Sequence, residues 1–306
     1  MARFGLCPLA TILALLGALI GPHRATAQAG FDTSRVVAIG GAVTETLFAL
    51  GLGDRVVAVD TSSTYPAEAL AGRPNVGYIR TLSPEGVLSV GPSLILAQEG
   101  AGPPDAVAVL KAASIPVVTI PEARTPEAVS ASIRKIAATM GAPERGEQLA
   151  SAVESDFAAL ERLRARISQR RRAAFVLSAS GAAPVVAGAA TSADAMFALA
   201  GVQNAMAGLT GYKPAVDEAI LGADPYAIIL MKDRNHALSD EALRAMPAFA
   251  GTRAAHEGRL LRIDGGYLLN FGPRTPQAAR DLAALVYPEL ELAPLPSHPW
   301  TGDAAR

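Results

Sequence analysis

The stretch PERGEQLASAVESDFAALERLRARISQR, Pro143 to Arg170, decides the architecture of this chain. Its apolar residues Leu149, Val153, Phe157, Leu160, Leu163 and Ile167 recur in steps of three and four, and Glu, Arg, Ser and Gln fill the opposite face. That period predicts one amphipathic helix of roughly thirty residues, about 40 Å long at 1.5 Å per residue. A single long helix in mid-chain is expected to brace two flanking bodies.

On both sides of it, short β-branched runs alternate with helical patterns. Strands are expected at Arg35–Ile39, Val56–Val59, Leu94–Ala97, Val117–Ile120, Ala173–Leu177, Ala227–Leu230 and Leu260–Ile263. Most are continuous apolar runs, the pattern of strands buried on both faces of a parallel sheet. Helices are expected at Thr44–Leu50, Ala106–Ala112 and Pro126–Met140. The alternation is that of an α/β protein. The two sides also resemble each other: Glu85-Gly-Val-Leu-Ser-Val-Gly-Pro92-Ser-Leu-Ile95 matches Glu218-Ala-Ile-Leu-Gly-Ala-Asp-Pro225-Tyr-Ala-Ile228 without a gap. We therefore expect two Rossmann-like lobes with parallel sheets, residues 28–142 and 171–306, joined by the helix 143–170.

Residues 1–27 read as a secretory signal: Arg3, an apolar stretch from Leu9 to Ile20, and the small-x-small site Ala25-Thr26-Ala27. The apolar stretch falls short of the about 20 residues that span a bilayer. Cleavage after Ala27 removes Arg3, Arg24 and no acidic residue, taking the net charge from −1 to −3. It also removes Cys7, the only cysteine, which precedes the apolar stretch rather than following it as a lipid-bearing cysteine would. The mature chain can use neither disulfides nor thiolate ligands. No basic run points to nucleic acid, since Arg170–Arg172 closes a helical pattern. No nucleophile elbow, phosphate loop or zinc spacing appears, so an enzyme is not expected.

Ser83-Pro84-Glu85 is a helix start: Ser83 caps, Pro84 suits the first position, and Glu85 faces the positive end of the dipole. This accounts for Glu85 alone but does not require its counterpart Glu218. Two matched carboxylates on similar lobes would also suit a two-fold symmetric partner.

The strand order, the mid-chain helix, and the segments Gly40–Gly51, Leu82–Ile95 and Tyr212–Ile229 resemble the periplasmic binding proteins of iron-chelate, cobalamin and haem ABC importers. The likeness covers nearly all of residues 31–290. It implies two rather rigid lobes with a ligand cleft between them, and Glu85 and Glu218 placed to meet arginines of a permease dimer in the inner membrane. Within the family, the haem-binding branch is most similar. The resemblance is carried by Pro74-Asn-Val-Gly77-Tyr78-Ile-Arg80-Thr-Leu-Ser83-Pro-Glu85-Gly86, supported by Ala187-Gly188, Thr191–Asp194, Gly211-Tyr212-Lys213-Pro214 and Leu268–Arg274. It implies haem b (hemin) as the transported ligand, Tyr78 as axial iron ligand, and Arg80 hydrogen-bonding Tyr78. Asn270 stands where the family commonly has glycine, which puts the local turn in question.

The chemistry of the residues is compatible. Haem iron takes His, Cys, Met or Tyr, and a guanidinium nearby favours the phenolate form. Tyr65 and Tyr212 are further candidates to line the cleft, whereas Tyr226 is expected in the core. His236 is either a second ligand or a surface histidine; His256 and His298 are expected to face solvent. Lys232 and Arg234 are candidates to pair with haem propionates, as are Lys213 and Arg73. The expected molecule is thus a monomeric periplasmic carrier, with a ferric siderophore or cobalamin as the alternative cargo.

Overall fold

The computed structural model describes residues 1–2, 30–179, 183–232 and 239–302. The expected signal segment and its cleavage site, together with Arg234 and His236, lie outside the described residues. Residues Phe31–Arg306 form one unit.

Ahead of the long helix lie β1 (Val36–Ile39), β2 (Val56–Val59), β3 (Gly77–Tyr78), β4 (Thr81–Leu82), β5 (Leu94–Gln98) and β6 (Val117–Ile120). Strands β2-β1-β5-β6, in that order, make an all-parallel sheet. Every residue of β1 is buried, as its unbroken Val-Val-Ala-Ile run requires of a strand covered on both faces. After the helix come β7 (Arg172–Ser178), β8 (Val185–Ala187), β9 (Gln203–Asn204), β10 (Tyr212–Pro214), β11 (Ala227–Met231) and β12 (Leu260–Ile263). They form a second sheet of order β10-β8-β7-β11-β12, with β9 also on β7. Its β7, β9, β11 and β12 pairings are parallel, but β8 and β10 are antiparallel. The second sheet is thus parallel in its main strands, as expected, with the short β8 and β10 added in antiparallel pairings. The link from β7 to β8 is too short for a crossover helix, so the chain folds straight back on itself.

The brace is a helix of 22 residues, Pro143–Arg164, about 33 Å long. It ends six residues before the expected Arg170. Past Arg164 the backbone tightens, with the Arg166 N–H donating to Leu163 O at 3.1 Å and the Ile167 N–H to Arg164 O at 2.9 Å. The chain then turns into β7. Ile167 still packs against the core, so the apolar period outlasts the helix that it implied. Leu149, Val153, Phe157 and Leu160 are buried, and the helix packs on both Pro126–Thr139 of the first lobe and Thr275–Val286 of the second. Phe157→Ala would cost about 3–5 kcal/mol at such a site. One apolar cluster runs from β1 through this helix to Phe175, Ile229 and Leu282. The lobes thus share a core.

The internal repeat is structural. Helices Pro84–Ser89 and Asp217–Ala223 lead into β5 and β11, which occupy equivalent sheet positions beside β1 and β7. Gly91 (φ 60°) and Asp224 (φ 37°) turn the chain in the same left-handed way after each helix.

Candidate functional site

Tyr78 sits on a short β-hairpin. Gly77 pairs with Leu82 and Tyr78 with Thr81, leaving Ile79-Arg80 as the two-residue turn. Gly77 has φ 99°, and a Cβ there would stand 3.3 Å from Thr81 O, so glycine is required. The hairpin is pinned from outside. The Thr61 N–H donates to Gly77 O (2.9 Å), the Gly102 N–H to Ile79 O (2.9 Å), and the Leu82 N–H to Gly102 O (2.9 Å). Gly77 N–H reaches Asn75 Oδ1 at 2.8 Å. Beneath it, Val76 and Leu82 are buried against Val37, Ile39 and Ile95. The ring of Tyr78 is nevertheless 47% exposed, and its hydroxyl has no hydrogen-bond partner among the described residues. A large ring is thus held out on a fixed backbone. Arg80 is exposed on the same turn, and its guanidinium makes no hydrogen bond to Tyr78 among the described residues.

The other tyrosines are engaged. The Tyr65 hydroxyl donates to Trp300 O at 2.9 Å, with the Arg274 guanidinium 3.3 Å over its ring. Burial raises its pKa, against the opposing pull of Arg274. Burial likewise raises the pKa of Tyr212, whose hydroxyl bonds around Ala193 and Ser192 oppose the shift. Both tyrosines lie where the lobes meet. There Arg124 Nη1 donates to Ala190 O at 2.8 Å, and Ser192 Oγ donates to Glu122 Oε1 at 3.3 Å. Arg124 and Glu122 are themselves paired at 2.7 Å, so one ion pair grips the opposite lobe at two points. Asn270 also crosses the boundary, its Nδ2 donating to Ser62 O at 3.5 Å. Its own φ is an ordinary −74°. The left-handed residue of that turn is the buried Phe271, φ 57°.

Lys232 is exposed at the end of β11, its backbone N–H tied to Ile263 O at 2.9 Å, and Lys213 is exposed on β10. Arg73 is not available to a ligand as expected. Its guanidinium donates to Val56 O and Gly53 O at 2.8 and 2.9 Å and stacks over Phe48. Tyr226 packs against the edge of the core, half-buried, between the guanidiniums of Arg171 and Arg259, 4.2 and 3.7 Å from its ring centre. His256 is exposed. His298 does not face solvent: its Nε2 lies 2.9 Å from Oδ2 of the buried Asp156, and its ring stacks on Trp300. A Pro-rich polar tail gave no signal for that contact.

Glu85 and Glu218 are both exposed and each is the second residue of its helix. They occupy equivalent positions in the two lobes, as their motifs imply.

The family profile described as periplasmic binding protein matches residues 36–267, and the chain belongs to that family. The structure of the periplasmic heme-binding protein RhuT from Roseiflexus sp. RS-1, in apo form, superposes with a TM-score of 0.80 at 37% identity. The match covers 84% of this chain and 99% of that one. An uncharacterized ABC transporter substrate-binding lipoprotein, YvrC of Bacillus subtilis, is 29% identical over 84% of this chain and 81% of its own. The vitamin B12-binding protein of Pectobacterium atrosepticum is 27% identical over 85% and 90%.

Proposed function

We propose that this periplasmic binding protein is exported by cleavage after Ala27 and captures haem between its lobes. Tyr78 serves as axial iron ligand, and Glu85 and Glu218 dock the loaded protein on an inner-membrane ABC permease dimer. The observation that carries the reading is the contrast among tyrosines. Tyr78 alone of Tyr65, Tyr78 and Tyr212 combines an exposed ring with an unpartnered hydroxyl among the described residues. A ferric ion needs a phenolate, and burial of the other two favours their protonated forms. Ile79, half-buried on the turn, offers apolar contact to a porphyrin face, while Arg80 stands on the same turn to favour phenolate once iron is present. Lys232 and Lys213 supply exposed cations in the second lobe for propionates. The likeness to RhuT supports haem as cargo.

Release has to work with lobes that move little, because they share one core and are latched by Arg124–Glu122. The second reading, cobalamin as cargo, is favoured by the vitamin B12-binding relative. Titrating the mature, cysteine-free protein with hemin, and separately with cyanocobalamin, decides between them. Tyrosinate-ligated ferric haem gives a high-spin spectrum with a charge-transfer band, saturating at a fixed ratio. Saturable cobalamin binding without such a hemin spectrum would replace haem by the second reading.

A further inference from the structure

The two docking helices differ at one matched position. Ser83 precedes the first-lobe helix and its hydroxyl accepts the Gly86 N–H at 3.1 Å, the ordinary way to satisfy a helix start. Its counterpart before the second-lobe helix is Val216, which makes no side-chain cap. Val216 is also 64% exposed, the most exposed large apolar side chain in residues 31–302 as described. Both cap residues have extended backbones. Val216 O accepts from the Ala219 N–H (3.0 Å) and Ile220 N–H (3.4 Å), as Ser83 O does from Val87 N–H (3.0 Å). Ile220 and Val87 are the matching buried anchors.

A β-branched apolar residue at a helix cap is unfavourable in two independent ways. It leaves a first-turn N–H without a side-chain acceptor, and it holds hydrocarbon in water. Among the described residues, the side chain packs on neither core cluster of its lobe. The flanking residues are Asp217 and Glu218, both acidic and both in the first turn. An apolar group beside a double negative charge is complementary to a surface that presents an apolar depression next to cations.

We infer that Val216 is a contact residue for the permease, and that the docking face is therefore unlike in its two halves, polar at Ser83–Glu85 and apolar-acidic at Val216–Glu218. The inference rests on the docking reading given above. A permease built of two identical subunits would then meet a different chemistry on each, so one subunit receives the apolar contact and the other does not. Val216 becomes dry only in the complex, which explains why the cap is not serine here.

The test uses the mature protein and the complete importer in lipid nanodiscs, with association measured by biolayer interferometry. Val216→Ser should leave the ligand titration unchanged and keep or raise the thermal midpoint, because serine caps the helix. Its association with the importer should weaken about fivefold through lost apolar burial. Val216→Leu should bind as the parent does. Association of Val216→Ser equal to the parent, while Glu218→Ala is impaired, overturns the role of Val216 and leaves the docking reading intact. If Glu218→Ala also binds normally, the docking reading itself falls. Equal binding of the parent to nanodiscs lacking the importer would assign the patch to lipid and overturn the inference.

Discussion

Glu45 and Arg274 are buried partners from opposite lobes, 3% and 5% exposed, with Arg274 Nη2 3.0 Å from Glu45 Oε2 and the Arg274 N–H donating to Glu45 Oε1 at 2.8 Å. The Tyr65 ring covers the guanidinium. Neither charge has solvent to fall back on. Removing one partner of such a pair costs about 3–5 kcal/mol, because the survivor is left charged and buried. Arg274→Ala should therefore lower the thermal midpoint by roughly 10 °C. Adding Glu45→Gln to it should recover part of that loss, since the stranded charge is gone. Circular dichroism melts of the parent, the single and the double variants check this. A cost below about 0.5 kcal/mol, typical of surface changes, would mean water reaches the pair.

The C-terminal tail ties the same region together. His298 Nε2 sits 2.9 Å from Asp156 Oδ2 on the long helix, its ring stacks on Trp300 with centroids 4.4 Å apart, and Trp300 O receives the Tyr65 hydroxyl. Among the described residues, His298→Ala removes one of two side-chain donors to a buried carboxylate, the other being Gln277 at 2.7 Å. The expected loss is about 1–3 kcal/mol, with faster hydrogen exchange around Tyr65. Unchanged exchange there would show the tail to be a passenger.

Alkaline pH should destabilise the protein through its phenols. Burial is the leading cause that raises the pKa of Tyr65, Tyr212, Tyr267 and Tyr287 above the ordinary value near 10. For Tyr267, the Asp281 carboxylate that accepts its hydroxyl at 2.9 Å adds to the effect. A folded state that holds these protons more tightly is fully favoured below pH 10. It loses that advantage as pH rises from the unfolded value towards the folded ones. Ultraviolet titration of tyrosinate should show a late phase coincident with loss of the far-ultraviolet signal. Tyr267→Phe should delay unfolding at high pH. Ionisation of these rings near pH 10 in a folded chain would contradict their burial.

Tyr78→Phe keeps the ring and the hairpin and deletes only the oxygen. Hemin affinity should fall by about tenfold or more, equivalent to about 1.4 kcal/mol, and the charge-transfer band should vanish. Tyr212→Phe, at a ring half-buried at the lobe boundary, should keep that band. Loss of the band in Tyr212→Phe with retention in Tyr78→Phe would move the ligand to the second lobe.

What the sequence revealed, and what it hid, follows the range of the interactions involved. Val56–Val59, Val117–Ile120 and Leu260–Ile263 have the expected ends, because a strand buried on both faces is announced by its own residues. The matched segments after Glu85 and Glu218 became matched helices and strands for the same local reason. The hairpin under Tyr78 was not legible as one: two residues per strand carry no period, and its shape depends on Thr61 and Gly102. Strands β8 and β10 were missed as well, being three residues each and antiparallel within an otherwise parallel reading. The Glu45–Arg274 pair spans 229 positions. Its only local trace is a carboxylate inside the apolar run Gly41–Ala49, a charge that had to find a distant partner.

The last prediction concerns Glu85 and Glu218 themselves. Both stand at the second position of equivalent helices, exposed, ahead of equivalent strands. As helix-end charges each is worth about 0.3–1 kcal/mol of stability, too little to unfold a domain of ordinary margin. As docking groups they act by steering and register, where an exposed pair worth about 0–1 kcal/mol in isolation still governs how fast and in which orientation a complex forms. Glu85→Ala and Glu218→Ala should each slow import into vesicles carrying the permease, and the double variant should slow it further. The hemin spectrum and affinity should match the parent throughout. Weakened docking of the single variants should be mimicked in the parent by raising salt, since screening acts on the same charges. A double variant that folds, binds hemin and is imported at the parental rate would leave both residues as helix-end stabilisers.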